Sequence, residues 1–424
     1  MTTPLRILQF IPDGWPTYRP DVAVLFGKAL PAEGVATDLV AVVPEGAEAG
    51  APWAGGALIG LRTRGGRLRR QMGEAAGCLR VLARLGRGDC DALQVRDKPF
   101  LAALALLKAR RLGVPFFYWM SFPMAEAAEA VARTHGLSLG LARYVFLRLR
   151  GTGGRHLLYR FVLPRADHVF VQSERMLDDV AALGIARERM TAVPMCVDPE
   201  RFTGPAGPAD PALDAALAGR RVIAYLGTCE RVRRIDVLFE TLAILRRTVP
   251  DAFLLVVGDA IEAEDRAWLD ARIRDCGVEG HVLRTGWLPS AAAQAAMARA
   301  EVALAPMAPD PLLDSTTPTK LVEYLAMGLP VVANAHPDQS RVLAESGAGL
   351  CTAFEPETLA AAAARLLGDG DMRRAMGAAG PAYVLAQRSY PAMAARLAAR
   401  YRALVGAPAG AAGGARPVAA VQGE

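Results

Sequence analysis

A pattern that occurs twice along the chain constrains its fold more than any other feature. Short apolar runs of strand length alternate with longer segments rich in alanine, leucine and arginine, which have helical character. This alternation is typical of βαβ units and predicts parallel sheets. The first set of strands is predicted at residues 5–11, 37–43, 92–95, 115–119, 169–172 and 190–194. The second set is predicted at residues 222–226, 253–257, 281–285, 302–305 and 331–333.

Two doubly wound α/β domains, joined near residues 196–215, which include the loop at 204–211, explain this repeat better than one long sheet. The first Rossmann-like domain is predicted over residues 1–200 and the second over 201–385, with a further helix at 386–405. Residues 406–424 have too little large apolar surface to fold, so a disordered tail is predicted there. Ligands bind beyond the carboxyl ends of the strands in such sheets. A site is therefore expected in a cleft between two such edges that face one another.

Composition excludes several classes of protein. The chain has 424 residues, of which 52% are hydrophobic and 22% charged, so a disordered, collagen-like or disulfide-scaffold protein is excluded. The six cysteines lack metal spacing, and no two of the five histidines lie three or four positions apart. No apolar segment approaches the ~20 residues of a membrane span. These features predict a cytoplasmic protein in a reducing compartment, with peripheral attachment to the inner face of the membrane as an option.

The segment at residues 315–334 carries the most chemistry. A turn rich in hydroxyls leads through Pro318 into a helix that also holds Lys320 and Glu323; the hydroxyls belong to Ser315, Thr316, Thr317 and Thr319. Hydroxyls and free N–H groups at the start of a helix can hold phosphate oxygens, and a carboxylate one turn later can accept hydrogen bonds from a ribose. The alternative is that the threonines cap the helix and that Lys320 and Glu323 form a surface pair.

A second segment strengthens the phosphate interpretation. A strand ends at Gly227, and Thr228 is soon followed by a basic loop that contains Arg231, Arg233 and Arg234. Glycine permits close approach of a ligand, and arginine suits a diphosphate because its donors form a planar fork. Fixed guanidinium groups would also stabilise the charge of a departing diphosphate. The alternative is a group of solvated arginines.

These motifs, in this order, resemble the nucleotide-sugar half of the GT-B glycosyltransferases, and specifically of glycosyltransferase family 4. The resemblance rests on the Gly227 strand and its basic loop, LLVVGD at 254–259, LRTGWLP at 283–289, VALAPM at 302–307 and TPTKLVEYLAMGLPVVA at 317–333. Residues 169–202 are similar to the segment that closes the family's acceptor domain. The resemblance covers most of the chain and implies two Rossmann-like domains, with the last helix crossing back to the first domain.

The resemblance also implies roles for single residues. Glu323 matches the second glutamate of the family's E-x7-E motif, which holds the donor ribose, whereas Ser315 replaces the first glutamate. Arg233, or its neighbour Arg234, stands where the family has the lysine that binds the donor diphosphate. The other donor-site candidates implied by the resemblance are Thr228, Asp259 and Trp287, the last as a contact to the base.

The acceptor half departs from the family pattern. In place of a Gly-Gly loop, the first strand is followed by PDGWPTYRPD, in which Gly14 is a candidate for close approach to the donor. A Pro-rich turn is the alternative. The candidate acceptor contacts are Arg19, Asp21, Arg96, Ser121 and Glu126, with Ser121 near the position of a family histidine.

Arginine is concentrated in two stretches of the first half, at residues 62–70 and 143–160. The second stretch interleaves arginine with Leu, Phe and Tyr, which suits an anionic membrane surface. A solvated basic face is the alternative.

The chain has no motif for nucleic-acid recognition, so no nucleic-acid partner is expected. Asp369 and Asp371 have the spacing of a metal-binding DxD motif. They lie in a Gly-rich segment after a helix, however, and this context predicts only a turn.

The sequence thus predicts an enzyme that moves a hexose from a nucleoside diphosphate sugar to a hydroxyl of a glycolipid or polysaccharide intermediate. Retention of configuration, implied by the resemblance, and catalysis without metal or cofactor are part of the prediction. Arg233, Arg234 and Glu323 are the candidate catalytic residues. The alternatives are a GT-B-type nucleotide-sugar epimerase and a non-catalytic nucleotide-sugar-binding subunit of a transferase complex.

Overall fold

The computed structural model describes residues 4–44, 53–202 and 210–406, without the side chains of Arg67, Leu68 and Leu139. Two compact units are present. The first comprises the described parts of Met1–Val171, Leu177–Val193 and Ala394–Glu424, and the second those of Gln172–Met176 and Pro194–Met393. Nearly all of the tail predicted at 406–424, and most of the joining loop predicted at 204–211, lie outside the described residues.

The first unit contains a seven-stranded parallel sheet. Its strands are β1 (Leu5–Gly14), β2 (Val35–Val43), β3 (Leu58–Arg62), β4 (Ala92–Arg96), β5 (Phe116–Met120), β6 (His168–Val171) and β7 (Met190–Ala192). Their order across the sheet is β3-β2-β1-β4-β5-β6-β7. Because all strands are parallel, the carboxyl ends of β1, β4 and β5 lie at one edge of the sheet, where the acceptor candidates were predicted.

The second unit contains a six-stranded parallel sheet. Its strands are β8 (Arg221–Leu226), β9 (Ala252–Val257), β10 (Val282–Arg284), β11 (Val302–Ala305), β12 (Val331–Asn334) and β13 (Gly349–Thr352). Their order is β10-β9-β8-β11-β12-β13. The order reverses between β8 and β11, and this is the kind of position where ligands bind in open α/β sheets.

Helices connect the strands. Those of eight or more residues with α geometry are α1 (Arg67–Arg84), α2 (Pro99–Leu112), α3 (Met124–His135), α4 (Leu141–Arg148), α5 (Glu174–Ala182), α6 (Val237–Leu245), α7 (Ala263–Asp275), α8 (Ser290–Met297), α9 (Thr319–Ala326), α10 (Pro337–Ser346), α11 (Pro356–Gly368), α12 (Gly370–Gln387) and α13 (Tyr390–Gly406). Other helical segments include the π-helical Asp21–Ala29, Leu149–Gly153 and Leu158–Val162, and the short helices Gly154–Leu157 and Pro211–Leu217. Among the described residues, no helix has the length and apolar character needed to cross a bilayer.

The second sheet is buried on both faces, which explains why its strands are nearly continuous apolar runs. In β8, Val222 and Ala224 pack into one hydrophobic cluster, whereas Ile223 and Tyr225 pack into the other. Strand β9 divides its residues between the same two clusters. This alternation follows from the two-residue period of a strand. Helices pack on both faces of the sheet, and the loops that follow its strands begin at the carboxyl edge of this core.

The structure corrects two sequence expectations. Strand β1 was predicted to end at residue 11, but it continues to Gly14, which pairs with Val42 after an irregularity in register beyond Phe10. Two strands were not predicted, β3 and β13, and both are edge strands. At the predicted turn, Asp369 caps α12, since its Oδ1 accepts a hydrogen bond from the N–H of Met372 at 2.8 Å.

Candidate functional site

The loop between β11 and α9 is held by side chains from the end of β12. The side chain of Asn334 accepts a hydrogen bond from the Met307 N–H at 2.7 Å and donates one to the Met307 carbonyl at 2.9 Å. Farther along the loop, Nε2 of the buried His336 lies 3.0 Å from the Leu313 carbonyl oxygen. These contacts fix both ends of the loop that leads into α9.

The hydroxyls before α9 are directed toward the protein. Ser315 donates to the carbonyl of Leu312 at 2.9 Å, Thr316 to that of Leu313 at 2.7 Å and Thr317 to that of Gln172 at 2.8 Å. In this structure the protons of these three hydroxyls are therefore directed to backbone carbonyls, and their contact with phosphate oxygens stays a prediction. Thr319, whose hydroxyl has no hydrogen bond among the described residues, and the N–H groups at the start of α9 remain for a ligand. The residue before the helix, Pro318, offers no side-chain cap to those N–H groups.

Gly227 directly follows β8 and lies against the side chain of Lys320. Its φ is 141°, a conformation that side chains rarely adopt, and a Cβ atom there would overlap Cε of Lys320. The Nζ atom of Lys320 lies 5.3 Å from the centroid of the Tyr225 ring. Tyr324 joins α9 to β8, because its hydroxyl accepts from the Leu226 N–H at 2.7 Å. Glycine is thus required here for the helix to lie so close to the strand.

The basic loop after Gly227 directs its arginines to different places. Arg231 lies over the ring of Trp268, with 5.3 Å between its Cζ and the ring centroid. Arg234, at a left-handed φ of 54°, lies over Phe354 at 5.8 Å. Arg233 is held by Glu230, with 2.8 Å between Nε and the carboxylate oxygen. Of these arginines, Arg233 alone lines a described cavity together with Lys320.

That cavity, of about 210 Å³, brings the two predicted segments together. Its lining includes Arg233 from one segment and Thr316, Thr317, Pro318, Thr319 and Lys320 from the other. Burial and the charge of Arg233 lower the pKa of Lys320 to about 8, although Glu323 acts in the opposite sense. Two cations and the positive end of a helix around one hollow form a site for a polyanion.

A second cavity, of about 250 Å³, has Gly227 in its lining. Glu323 and Trp287 line it, as does Arg201, which the sequence analysis did not single out. Burial raises the pKa of Glu323, while the charge of Arg201 lowers it. Trp287 is 57% exposed, which leaves the residue open to stacking by a ligand. A carboxylate beside an open aromatic ring suits a nucleoside, with the ribose at Glu323 and the base at Trp287.

Thr228 and Asp259 make contacts within the protein. The Thr228 carbonyl accepts from the hydroxyl of Tyr225 at 3.2 Å. Asp259 accepts from the Ala260 N–H at 2.8 Å and pairs with Arg284 at 3.4 Å. Neither residue is among those lining the two described cavities. Both residues therefore lie near the cavities and contact neighbouring protein groups.

Four of the five predicted acceptor residues cluster in the first unit. The fully buried Arg96, at the end of β4, donates to Asp21 at 2.5 Å, and Arg19 donates to the same carboxylate at 3.3 Å. Burial favours the neutral acid, but the guanidinium groups of Arg96 and Arg19 hold the pKa of Asp21 below its usual value. Nε and Nη1 of Arg96 are buried and make no hydrogen bond among the described residues.

Ser121 completes the cluster through Asp97. Its N–H donates to Asp97 at 2.9 Å, and its hydroxyl donates to the other oxygen of the same carboxylate. Asp97 is buried at a left-handed φ of 52°, and burial raises its pKa despite the nearby Arg96. An aspartate held in that backbone conformation indicates a position fixed by its surroundings.

The two remaining predicted residues of the first unit lie apart from this cluster's hydrogen bonds. Gly14 is in the last position of β1, where a Cβ would approach the Val42 carbonyl oxygen to 3.3 Å. Glu126, on α3, pairs with Arg155 at 3.6 Å.

Two Rossmann-like sheets, with a cationic hollow beside a carboxylate and an open aromatic ring in the second unit, define the GT-B class of nucleotide-sugar enzymes. Comparisons with known proteins agree with this class. Residues 22–196 match the glycosyl transferase 4-like domain, and residues 214–383 match the glycosyl transferases group 1. The chain is also 30% identical over 290 residues to a GDP-mannose-dependent alpha-(1-6)-phosphatidylinositol monomannoside mannosyltransferase of Mycobacterium tuberculosis, covering 65% of this chain and 70% of the relative. The chain belongs to the GT-B glycosyltransferases of the family 4 type.

Solved structures share the fold at low sequence identity. Sucrose-phosphate synthase from Thermosynechococcus elongatus has a TM-score of 0.68 and 17% identity, over 95% of this chain and 99% of that one. Anabaena HepE, in complex with UDP and glucose, has a TM-score of 0.65 and 15% identity, over 94% of this chain and 100% of that one. These likenesses confirm the predicted pair of Rossmann-like domains.

Proposed function

We propose that this glycosyltransferase transfers a hexose from a nucleoside diphosphate sugar to a hydroxyl group of a glycolipid or polysaccharide intermediate, with retention of anomeric configuration and without a metal ion. One observation carries the proposal: Arg233 and the start of α9 line one cavity next to Gly227. A diphosphate placed there meets two cations and free N–H groups. Its nucleoside extends past Gly227 toward Glu323 and Trp287.

The chemistry follows from the charge of the leaving group. As the bond between the anomeric carbon and the diphosphate oxygen breaks, the electron pair moves onto that oxygen. Arg233, Lys320 and the N–H groups of α9 stabilise this charge more in the transition state than in the bound donor. The acceptor oxygen then bonds to the anomeric carbon on the same face, and its proton passes to the departing phosphate.

The binding site for the acceptor hydroxyl is assigned to residues of the first unit. Arg19 offers a partly exposed guanidinium group near the carboxyl edge of the first sheet, and the buried pair of Asp21 and Arg96 holds it in place. Such a donor suits a polyol, because each hydroxyl can accept a hydrogen bond. The Mycobacterium tuberculosis relative is named for a phosphatidylinositol monomannoside acceptor and GDP-mannose, which supports a glycolipid acceptor and makes that donor the first to test.

The test is to incubate the purified full chain with GDP- and UDP-hexoses, with and without membrane lipid extract, in EDTA. The expected result is release of nucleoside diphosphate together with a new glycolipid whose anomeric configuration, read by NMR, matches the donor. A changed donor sugar without transfer would indicate an epimerase. Binding without turnover of any donor would indicate a non-catalytic subunit.

A variant pair ties this activity to the site. Glu323→Gln keeps the shape but removes the carboxylate, so donor affinity should fall by about tenfold or more. Glu357→Gln, an exposed position on α11 of the same unit, is the matched control and should behave as wild type. Equal donor affinity in the wild type, Glu323→Gln and Glu357→Gln would contradict a role of Glu323 in donor binding.

A further inference from the structure

Helix α4 is an apolar helix that is not buried. Its sequence is LARYVFLR, and no residue of it is buried. Leu141 is 69% exposed, Val145 53% and Phe146 44%, and Leu149 just beyond the helix is 60% exposed. An isolated helix of this length is not stable in water from propensity alone. Its anchor lies farther along the chain, where Gly151 packs against Glu129 of α3 so closely that a Cβ would overlap it.

The exposed apolar residues share one side of the helix. At about 100° per residue, Leu141, Val145, Leu149 and Phe146 span an arc of about 140°. The half-buried residues of α4, Tyr144 and Leu147, occupy the opposite side, toward the protein. The outward side is therefore the apolar one, which is the reverse of a solvated surface helix.

Arginines border this apolar arc. Arg148 lies beside one edge and Arg143 and Arg150 beside the other, and all three are exposed. Residues 131–166 contain seven arginines and no aspartate or glutamate. The rest of the chain has 42 basic and 43 acidic residues, so this segment accounts for the net charge of +6. An acidic group of α3 contacts the segment, since Glu126 pairs with Arg155 at 3.6 Å.

We propose that this surface, formed by Leu141, Arg143, Val145, Phe146, Arg148, Leu149 and Arg150, docks on an anionic lipid bilayer. Charge complementarity selects that occupant, because a segment with seven arginines and no acidic residue repels a second copy of itself. The apolar arc enters the boundary between headgroups and acyl chains, while the flanking guanidinium groups reach lipid phosphates. The inference stands apart from the reaction proposed above, since it uses none of the donor-site or acceptor-site residues.

The experiment is flotation of the full chain with phosphatidylcholine vesicles, with or without about one-third phosphatidylglycerol. The wild type should float with the anionic vesicles only, and about 1 M NaCl should release most of it because the Debye length shrinks to about 3 Å. Arg143→Glu with Arg148→Glu should lower partitioning by about tenfold or more. Leu141→Ser with Val145→Ser should lower it as well, since the arc loses its apolar contact.

Arg274→Glu with Arg365→Glu is the matched control, because it reverses two exposed arginines of the second unit and should leave flotation unchanged. Thermal midpoint and release of nucleoside diphosphate from the donor are measured for every variant, and both should match the wild type. Absence of flotation by the wild type, or equal loss in the control pair, overturns the inference. Light scattering tests for a second copy as the occupant. A wild type that is a dimer, with the Arg143/Arg148 or Leu141/Val145 variants as monomers, would assign the surface to a second copy and would also overturn the inference.

Discussion

The side-chain hydroxyl of Ser173 donates a hydrogen bond to the backbone oxygen of Ser315 at 2.6 Å, across 142 positions of sequence. The same hydroxyl accepts from the N–H of Met176 at 2.9 Å, at the start of α5. The neighbouring Gln172 carbonyl accepts from Thr317. A short buried segment thus holds the backbone of the turn that leads into α9, and it fixes where the N–H groups of that helix are directed.

Ser173→Ala should therefore raise the donor KM, by about three- to tenfold, and leave the acceptor KM unchanged. The turn loses its support, while no group that contacts the acceptor is altered. Stability should fall by about 1–2 kcal/mol because two hydrogen bonds are lost. Steady-state kinetics with each substrate varied in turn is the measurement, and Ser173→Thr should restore the donor KM.

Asp369→Ala provides the control for that loss of stability. It removes the cap of α12, a comparable hydrogen bond in the same unit but away from the two described cavities. We expect a similar drop in thermal midpoint with a normal donor KM. If Asp369→Ala raises the donor KM as much as Ser173→Ala does, the positioning role of Ser173 is contradicted.

Lys320 is predicted to give donor binding a pH dependence. Its pKa, lowered to about 8 by burial and by Arg233, means that it is charged at pH 7 and mostly neutral at pH 9. A diphosphate favours the charged form, so affinity for the nucleoside diphosphate should fall by about tenfold between pH 7 and pH 9. Isothermal titration calorimetry across this range is the measurement.

Lys320→Met identifies the titrating group. The variant should bind about 10- to 100-fold more weakly at pH 7, with little further change up to pH 9. Its thermal midpoint at pH 7 should rise, because the folded state no longer holds a charged group whose pKa is depressed. A wild-type pH dependence retained in this variant would assign the titration to another group.

Gly227→Ala tests the close approach of α9 to β8. A side chain there is strained at a φ of 141° and overlaps Lys320, so the ammonium must move. We expect a loss of about 1–3 kcal/mol in stability and at least about tenfold weaker donor binding. Gly277→Ala separates the two effects, since it also has a left-handed φ, of 65°, but meets no atom within 4 Å. This control should lose stability and keep donor affinity.

The sequence predicted the central strands because both of their faces are apolar. It missed β3 and β13 because their apolar runs are short: Gly60 interrupts the first, and the second, Gly349–Thr352, has only Leu350 and Cys351 as apolar side chains. The residues that line the cavity at Arg233 and Lys320 could likewise be picked out, since charge and hydroxyls mark both segments. The directions of their side chains were not predictable, because Thr317 donates to a carbonyl 145 positions away. Arg201 was missed because it comes from a segment distant in sequence from the other residues of its cavity.

Arg233 and Arg234 are neighbours with the same chemistry, and the backbone separates their roles. Arg234 adopts a left-handed φ of 54°, which carries its side chain toward Phe354, whereas Arg233 lines the cavity with Lys320. Arg233→Ala should lower kcat by about 100-fold or more with a smaller change in donor KM, because its charge counts most when the diphosphate departs. Arg234→Ala should keep kcat within about threefold, and Arg234→Gly should raise stability slightly because glycine favours that φ. The measurement is kcat and KM for each variant with one donor and one acceptor. Equal losses of kcat in the two alanine variants would place both arginines on the diphosphate and contradict the separation that the structure describes.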